Sequence, residues 1–126
     1  MPSVAELRST VERYVELVGS GTAEQVAECY TADAVLEDPA GSEPKRGRAA
    51  IVEFYKVIEP IQRSTELLWC RVGGDTAVFE FRIVTVFGDT TVELQPVDVM
   101  RFDAAGLITS MRAVWSAEDM IQRPTT

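Results

Sequence analysis

The side chains best suited to chemistry in this sequence are one tyrosine and two aspartates that interrupt otherwise apolar patterns. In the run Val92, Leu94, Pro96, Asp98, Met100 and Phe102, alternate residues project to one side of a strand, so Asp98 places a carboxyl in an apolar row. Three readings are open for it: backbone donors satisfy the carboxyl, a register break at Pro96 turns it to solvent, or it stays protonated and donates a hydrogen bond. Tyr14 falls on an apolar helical stripe with Leu7, Val11 and Val18. It is either a core tyrosine with a partner for its hydroxyl or a donor aimed into a pocket. Asp38 shares a strand face with Ala34 and Leu36 and precedes Pro39, where it is either a turn residue or an inward carboxylate. Together the three groups suit one reaction class. Two neutral donors on one oxygen, with a carboxylate nearby, fit proton abstraction next to a carbonyl through a stabilised enolate.

The chain contains no histidine. Acid–base chemistry near neutral pH then falls to carboxylates, tyrosines or lysines with displaced pKa values. Tetrahedral zinc sites and histidine-containing triads lack their ligands, because Cys29 and Cys70 stand far apart in sequence. No metal and no cofactor is expected, and neither glycine-rich nucleotide fingerprint occurs. A formal charge of −8 argues against nucleic acid and against an anionic membrane surface. A neutral, apolar ligand fits better. The opening Met1–Glu6 does not read as a signal peptide, and two isolated cysteines do not make a disulfide framework. The expectation is a cytoplasmic protein with one domain over 1–126.

The elements that must position these groups can be read from periodicity. Ser3 with Glu6 forms a capping box, and Val4, Leu7, Val11, Tyr14 and Val18 form one buried face until Gly19-Ser20-Gly21 stops the helix. Thr22 with Gln25 repeats the signal for a shorter helix carrying Val26, Cys29 and Tyr30. A strand over 34–38 and a Pro/Gly-rich loop over 39–47 follow. A third helix from about Arg48 turns Ile51, Phe54, Tyr55 and Ile58 inward, and Pro60 ends it. From Thr65 the period becomes two. Hairpin signals at Gly73-Gly74 and Gly88-Asp89, and a longer turn over Asp103–Gly106, divide the rest into strands near 65–72, 76–87, 90–102 and 107–116. Three helices followed by an antiparallel meander is an α+β layout.

All three tyrosines, Tyr14, Tyr30 and Tyr55, are expected on inward helix positions. They are either unrelated core aromatics or a hydrogen-bonded relay that aims the Tyr14 hydroxyl and lowers its pKa. Phe79, Phe81, Ile83 and Phe87 share one strand face, and Met111 and Trp115 share another. Such stripes are either plain core or, on a curved sheet, the wall of a pocket for a flat apolar ligand.

These residues stand in segments that resemble the bacterial ketosteroid isomerases from Tyr14 to about Trp115: ERYVELV (12–18), VLEDPAGSEPKRGR (35–48), EFYK (53–56), VDVMRFDAAG (97–106) and AVWS (113–116). Glu37-Asp38-Pro39 together with Asp98-Val99-Met100-Arg101-Phe102 is the specific part. Gly47-Arg48 followed by Phe54-Tyr55 is shared with the wider nuclear-transport-factor-like superfamily. The resemblance implies a cone in which three N-terminal helices close a curved antiparallel sheet around an apolar pocket. It also implies a homodimer, and cofactor-free isomerisation of 3-oxo-Δ5-steroids to Δ4 conjugated ketones. The family's general base falls on Asp38, its oxyanion-hole tyrosine on Tyr14 and its protonated aspartic acid on Asp98. Its supporting tyrosines fall on Tyr30 and Tyr55, and the tryptophan beside the base on Trp115. The pattern of displaced pKa values is carried over with the family. Val18, Phe54, Phe79, Phe81, Ile83, Leu94, Met111 and Trp115 are the corresponding candidates to hold the steroid.

Two other functions use the same fold. A carrier of sterols or other hydrophobic ligands has no need for Tyr14, Asp38 and Asp98 together. A polyketide cyclase, a dehydratase or an epoxide hydrolase is the other alternative, but the dehydratases of this fold rely on histidine, and epoxide opening needs an Asp–Arg–Asp cluster. The chain departs from the ketosteroid isomerase pattern at Pro96, which removes a ladder hydrogen bond two residues before Asp98. The loop between residues 60 and 75 and the tail after Trp115 also match less well.

Overall fold

The computed structural model describes residues 1–126. Helix α1, Val4–Ser20, opens with the Ser3–Glu6 capping box, in which side chain and backbone of the two residues bond reciprocally. Leu7, Val11, Tyr14, Val15 and Val18 are its buried residues. Val4, expected on that face, is instead 49% exposed, because it lies in the first turn beyond the reach of the core. A second capping box at Thr22 and Gln25 opens α2, Ala23–Ala27, and α3 covers Arg48–Lys56.

Eight strands form one open sheet: β1 Tyr30–Glu37, β2 Lys45–Arg46, β3 Gln62–Gly73, β4 Thr76–Phe87, β5 Thr90–Leu94, β6 Val97–Phe102, β7 Ile108–Val114 and β8 Ile121–Pro124. The order is β2-β1-β7-β6-β4-β5-β8, with β3 along the other edge of β4. The mixed α+β layout agrees with the expectation, with one correction. β1 runs parallel to β7, so the sheet is not purely antiparallel. That pairing also moves Tyr30. It was expected on the second helix, yet it is the first residue of β1, paired with Ile108, while the Cys29 carbonyl accepts from Ile108 N–H. Long-range pairing thus overrides the local helical pattern from Cys29 onward.

Pro96 explains the other main difference. The stretch 90–102 forms two strands, because Gln95-Pro96 breaks the ladder between β5 and β6. β4 consequently pairs with β6 over Thr76–Glu80 and with β5 over Ile83–Phe87. The loop expected at Gly73-Gly74 lies one residue later, at Gly74-Asp75, where Gly74 takes φ +57. Phe87 does not continue the inward stripe. It is 49% exposed, because β4 outruns the core as it enters the Gly88-Asp89 hairpin.

Buried residues from all three helices and most of the sheet form one cluster of 23 side chains. Arg63 on β3 locks the helical layer to the sheet. Its guanidinium donates to five backbone carbonyls: Val18 and Gly21 at 2.7 and 2.8 Å, and Ile58, Glu59 and Ile61 at 3.0, 2.9 and 3.2 Å. The open carbonyls at the end of α1 are thereby satisfied and joined to the turn after α3. No sequence pattern pointed to this residue. No helix is long and apolar enough to cross a membrane.

Candidate active site

A cavity of about 260 Å³ opens between the helices and the concave sheet, and ten of its thirteen lining residues are hydrophobic. Tyr14 reaches it from α1, Phe54 and Tyr55 from α3, Phe81 and Ile83 from β4, and Leu94 from the end of β5. Asp98 comes from β6, while Asp38 and Trp115 stand just past the ends of β1 and β7. Val18 also lines it. Six of the eight proposed ligand contacts therefore face the cavity. Phe79 and Met111 do not. Both are fully buried in the core, and Phe79 packs edge-on against the Tyr14 ring at 6.1 Å. Val57, Ile58 and Pro96 line the cavity without having been expected there. Val57 lies in the turn after α3, where the helical period no longer predicts orientation, whereas Ile58 in the same turn keeps the inward orientation expected of it.

Asp98 is the least ordinary group. It is 1% exposed, pairs with Phe79 on β4 and Ala113 on β7, and its Oδ1 has no hydrogen-bond partner. Of the three readings left open for it, solvent exposure and satisfaction by backbone donors both fail. Burial pushes its pKa well above the ordinary aspartate value, and the charge of Asp38 adds to the shift. Both causes favour the neutral, protonated form of the carboxyl, which is able to donate a hydrogen bond.

Asp38 differs. Burial raises its pKa as well, but Trp115 Nε1–H donates to its Oδ1 at 2.7 Å and opposes the rise. A carboxylate raised by its surroundings and still ionisable suits a general base. Glu37, one residue earlier, is shifted the other way, because Gly41 N–H and the Arg112 side chain donate to its carboxylate. Adjacent carboxyls are thus pushed apart by their two faces.

The tyrosines form a chain with Tyr55 at its centre. The Tyr55 hydroxyl lies 2.7 Å from that of Tyr14 and 2.7 Å from that of Tyr30. Tyr30 stands behind Tyr55 and does not touch the cavity. Burial raises all three pKa values, and the proximity of the other ionisable groups, Tyr30, Tyr55 and Asp98, raises Tyr14 further. The reading in which the relay lowers the Tyr14 pKa is therefore corrected, since burial and the hydrogen bond with Tyr55 both push it up. At neutral pH Tyr14 is a hydroxyl donor.

An α+β shell around one apolar cavity, with catalytic-type groups projecting from its walls, defines a small-molecule pocket protein of the SnoaL-like class, and residues 11–111 match the family described as SnoaL-like domain. The chain belongs to that family, and within it to the steroid Δ-isomerases. It is 47% identical over 120 residues to the steroid Delta-isomerase of Nocardioides simplex, covering 95% of this chain and 98% of the relative. Among solved structures it resembles SalBIII, an epoxide hydrolase/cyclase-like enzyme in pyran ring formation in the polyether salinomycin. That match has a TM-score of 0.86 and 25% identity, over 92% of this chain and 95% of the other. It also resembles RV0760c from Mycobacterium tuberculosis in fold, with a TM-score of 0.86 and 21% identity over 98% and 100% of the two chains.

The buried carboxyl generates a pH prediction. The folded pKa of Asp98 is raised above the unfolded one, so its contribution favours the fold fully below the ordinary aspartate value of 3.8. That contribution is lost as pH rises from there through the raised folded pKa. Asp98→Asn cannot ionise and should lack this component. Urea midpoints measured across pH should show wild type losing stability relative to the variant above about pH 4. Parallel profiles would contradict a protonated Asp98.

Proposed function

We propose that this chain is a steroid Δ-isomerase that moves the C5–C6 double bond of 3-oxo-Δ5-steroids into conjugation at C4–C5, acting as one domain over 1–126. The observation that carries the reading is the meeting of a neutral buried Asp98, the Tyr14 hydroxyl and the carboxylate of Asp38 in one apolar cavity. Asp38 takes the proton from C4 as the C4–H bond breaks, and the electron pair passes into a dienolate. The negative charge develops on the C3 oxygen, where Tyr14 and Asp98 donate hydrogen bonds. Asp38 then returns the proton to C6. For Tyr14 to donate outward, Tyr55 must donate to Tyr14 and Tyr30 to Tyr55, which the two 2.7 Å contacts permit. Donors fixed before reaction by packing stabilise the developing charge without reorganising during the step.

The relative in Nocardioides simplex supports the same reading by its name and by its match over nearly the whole chain. The cavity wall contains no arginine, lysine or histidine, which disfavours water activation of the Asp–Arg–Asp kind. A carrier role leaves the unpaired carboxyl of Asp98 without a purpose. Turnover is proposed to need no cofactor, and the expected cytoplasmic setting accords with two free, buried cysteines.

The homodimer implied by the family resemblance finds support on the outer sheet face. There Val78 pairs with Val99 and Val97 with Val114, and paired residues share a face. Val114 is 50% exposed in the isolated chain. Sedimentation equilibrium is expected to give twice the 13.9 kDa of one chain, and a 13.9 kDa species at assay concentrations contradicts the dimer.

The direct test mixes the purified protein with a 3-oxo-Δ5-steroid and follows the rise of conjugated-enone absorbance after exhaustive dialysis against chelator. Asp38→Asn is expected to lower the chemical rate by about 10²–10⁴ while leaving steroid binding largely intact. Near-wild-type turnover in the variant, or a requirement for added metal or nucleotide, refutes this mechanism.

A further inference from the structure

The short segment that carries Asp38 is held from outside the cavity as well as from within. Inside, Trp115 fixes one carboxyl oxygen. Outside, the carboxylate of Glu37 spans two anchors: Oε1 accepts from Gly41 N–H, and Oε2 accepts from Arg112 Nε–H at 3.0 Å. Glu37 ends β1 and Asp38 follows it, with Asp38 lining the cavity and Glu37 not. The segment is tied further by Ala40 N–H to the Ala113 carbonyl at 2.7 Å, and by Ser42, whose hydroxyl and amide both donate to the Pro39 carbonyl. Gly41 reaches Glu37 with φ +95, a conformation that side chains disfavour. Arg112, Ala113 and Trp115 all belong to β7 or its end, so one strand grips the loop at three points. The contact of Glu37 with Gly41 closes the loop on itself around Asp38, which nothing on the cavity side does.

We infer that Glu37 is a positioning residue for Asp38: it clamps the 38–41 turn to β7 through Gly41 and Arg112 and so sets where the Asp38 carboxyl stands over the ligand. The inference rests on the isomerase reading, in which Asp38 must reach both C4 and C6 from one position. Proton transfer is sensitive to such placement, because a shift of about 1 Å costs on the order of a hundredfold in rate. Glu37 itself faces away from the cavity and touches no reacting atom. Its downward pKa shift keeps it ionised while Asp38 titrates.

The test separates placement from general loosening. Glu37→Ala is expected to lower kcat about 10–100-fold with KM changed less than about twofold. Glu37→Gln keeps an oxygen for Gly41 N–H but loses the charge on Arg112, so its kcat should fall between wild type and the alanine variant. It also carries the test if the alanine variant does not fold, since wild-type kcat in Glu37→Gln would then overturn the inference. In an Asp38→Gly background, with acetate in the buffer serving as the base, Glu37→Ala should leave the acetate-driven rate within about twofold, because the group it positions is gone. Wild-type kcat in Glu37→Ala, or an equal loss in the acetate-driven reaction, overturns the assignment. Failure of the isomerase reading looks different: wild type itself would then form no conjugated enone, and full turnover by Asp38→Gly without acetate would remove Asp38 as the base.

Discussion

A carboxyl group sealed in an apolar sheet face without a counter-charge is the constraint around which this molecule is arranged. An ionised carboxylate in such a place would carry a large desolvation penalty, so the group neutralises instead. Register enforces the placement. Asp98 stands between Phe79 on β4 and Ala113 on β7, both buried, and it cannot swing to solvent without breaking two ladders. In the proposed mechanism this acid serves as a donor, and Tyr14, whose pKa burial also raises, serves as the second. Asp38, the one carboxylate facing these donors, keeps access to a hydrogen-bonding tryptophan and remains ionisable. The proposed mechanism rests on this difference in surroundings between two chemically identical side chains.

The remaining structure keeps that difference stable. Curvature of the sheet leaves a cavity where a flat sheet would pack directly against the helices. Arg63 holds the end of α1 and the turn after α3 together, and those segments supply Val18, Val57 and Ile58 to the wall. The tyrosine chain ties α1, α3 and β1 into one hydrogen-bonded unit. Either hydroxyl of each contact can donate, so the chain leaves Tyr14 free to donate outward, as the proposed mechanism needs.

Much of this was legible from local signals. Both capping boxes, the α1 stripe and the Gly88-Asp89 hairpin appear where periodicity and turn chemistry put them. Asp98, Tyr14 and Asp38 were visible because each breaks an apolar pattern. The errors have a common physical origin in long-range pairing. Tyr30 satisfied a helical period but was captured by β7, whose Ile108 stands 78 positions further along the chain and is unreadable from the neighbours of Tyr30. Phe79 and Met111 lie on inward faces as expected, yet alternation cannot say whether an inward residue meets the cavity or the core behind it. Arg63 escaped notice because its partners are backbone carbonyls, which leave no sequence signature, and the pairing of Glu37 with Arg112 spans 75 positions.

The central claim is that Asp98 acts as a neutral donor to the oxygen on which charge develops. The most direct test compares single-turnover enone formation by wild type, Asp98→Asn and Asp98→Ala, each first shown to be folded. The account predicts that the alanine variant loses about 10²–10³ in the chemical step, as for other deletions of an oxyanion donor. The asparagine variant should lose less, because its amide still donates. An Asp98→Asn rate above wild type would mean that the native carboxyl is ionised, and an unchanged Asp98→Ala rate would mean that it takes no part.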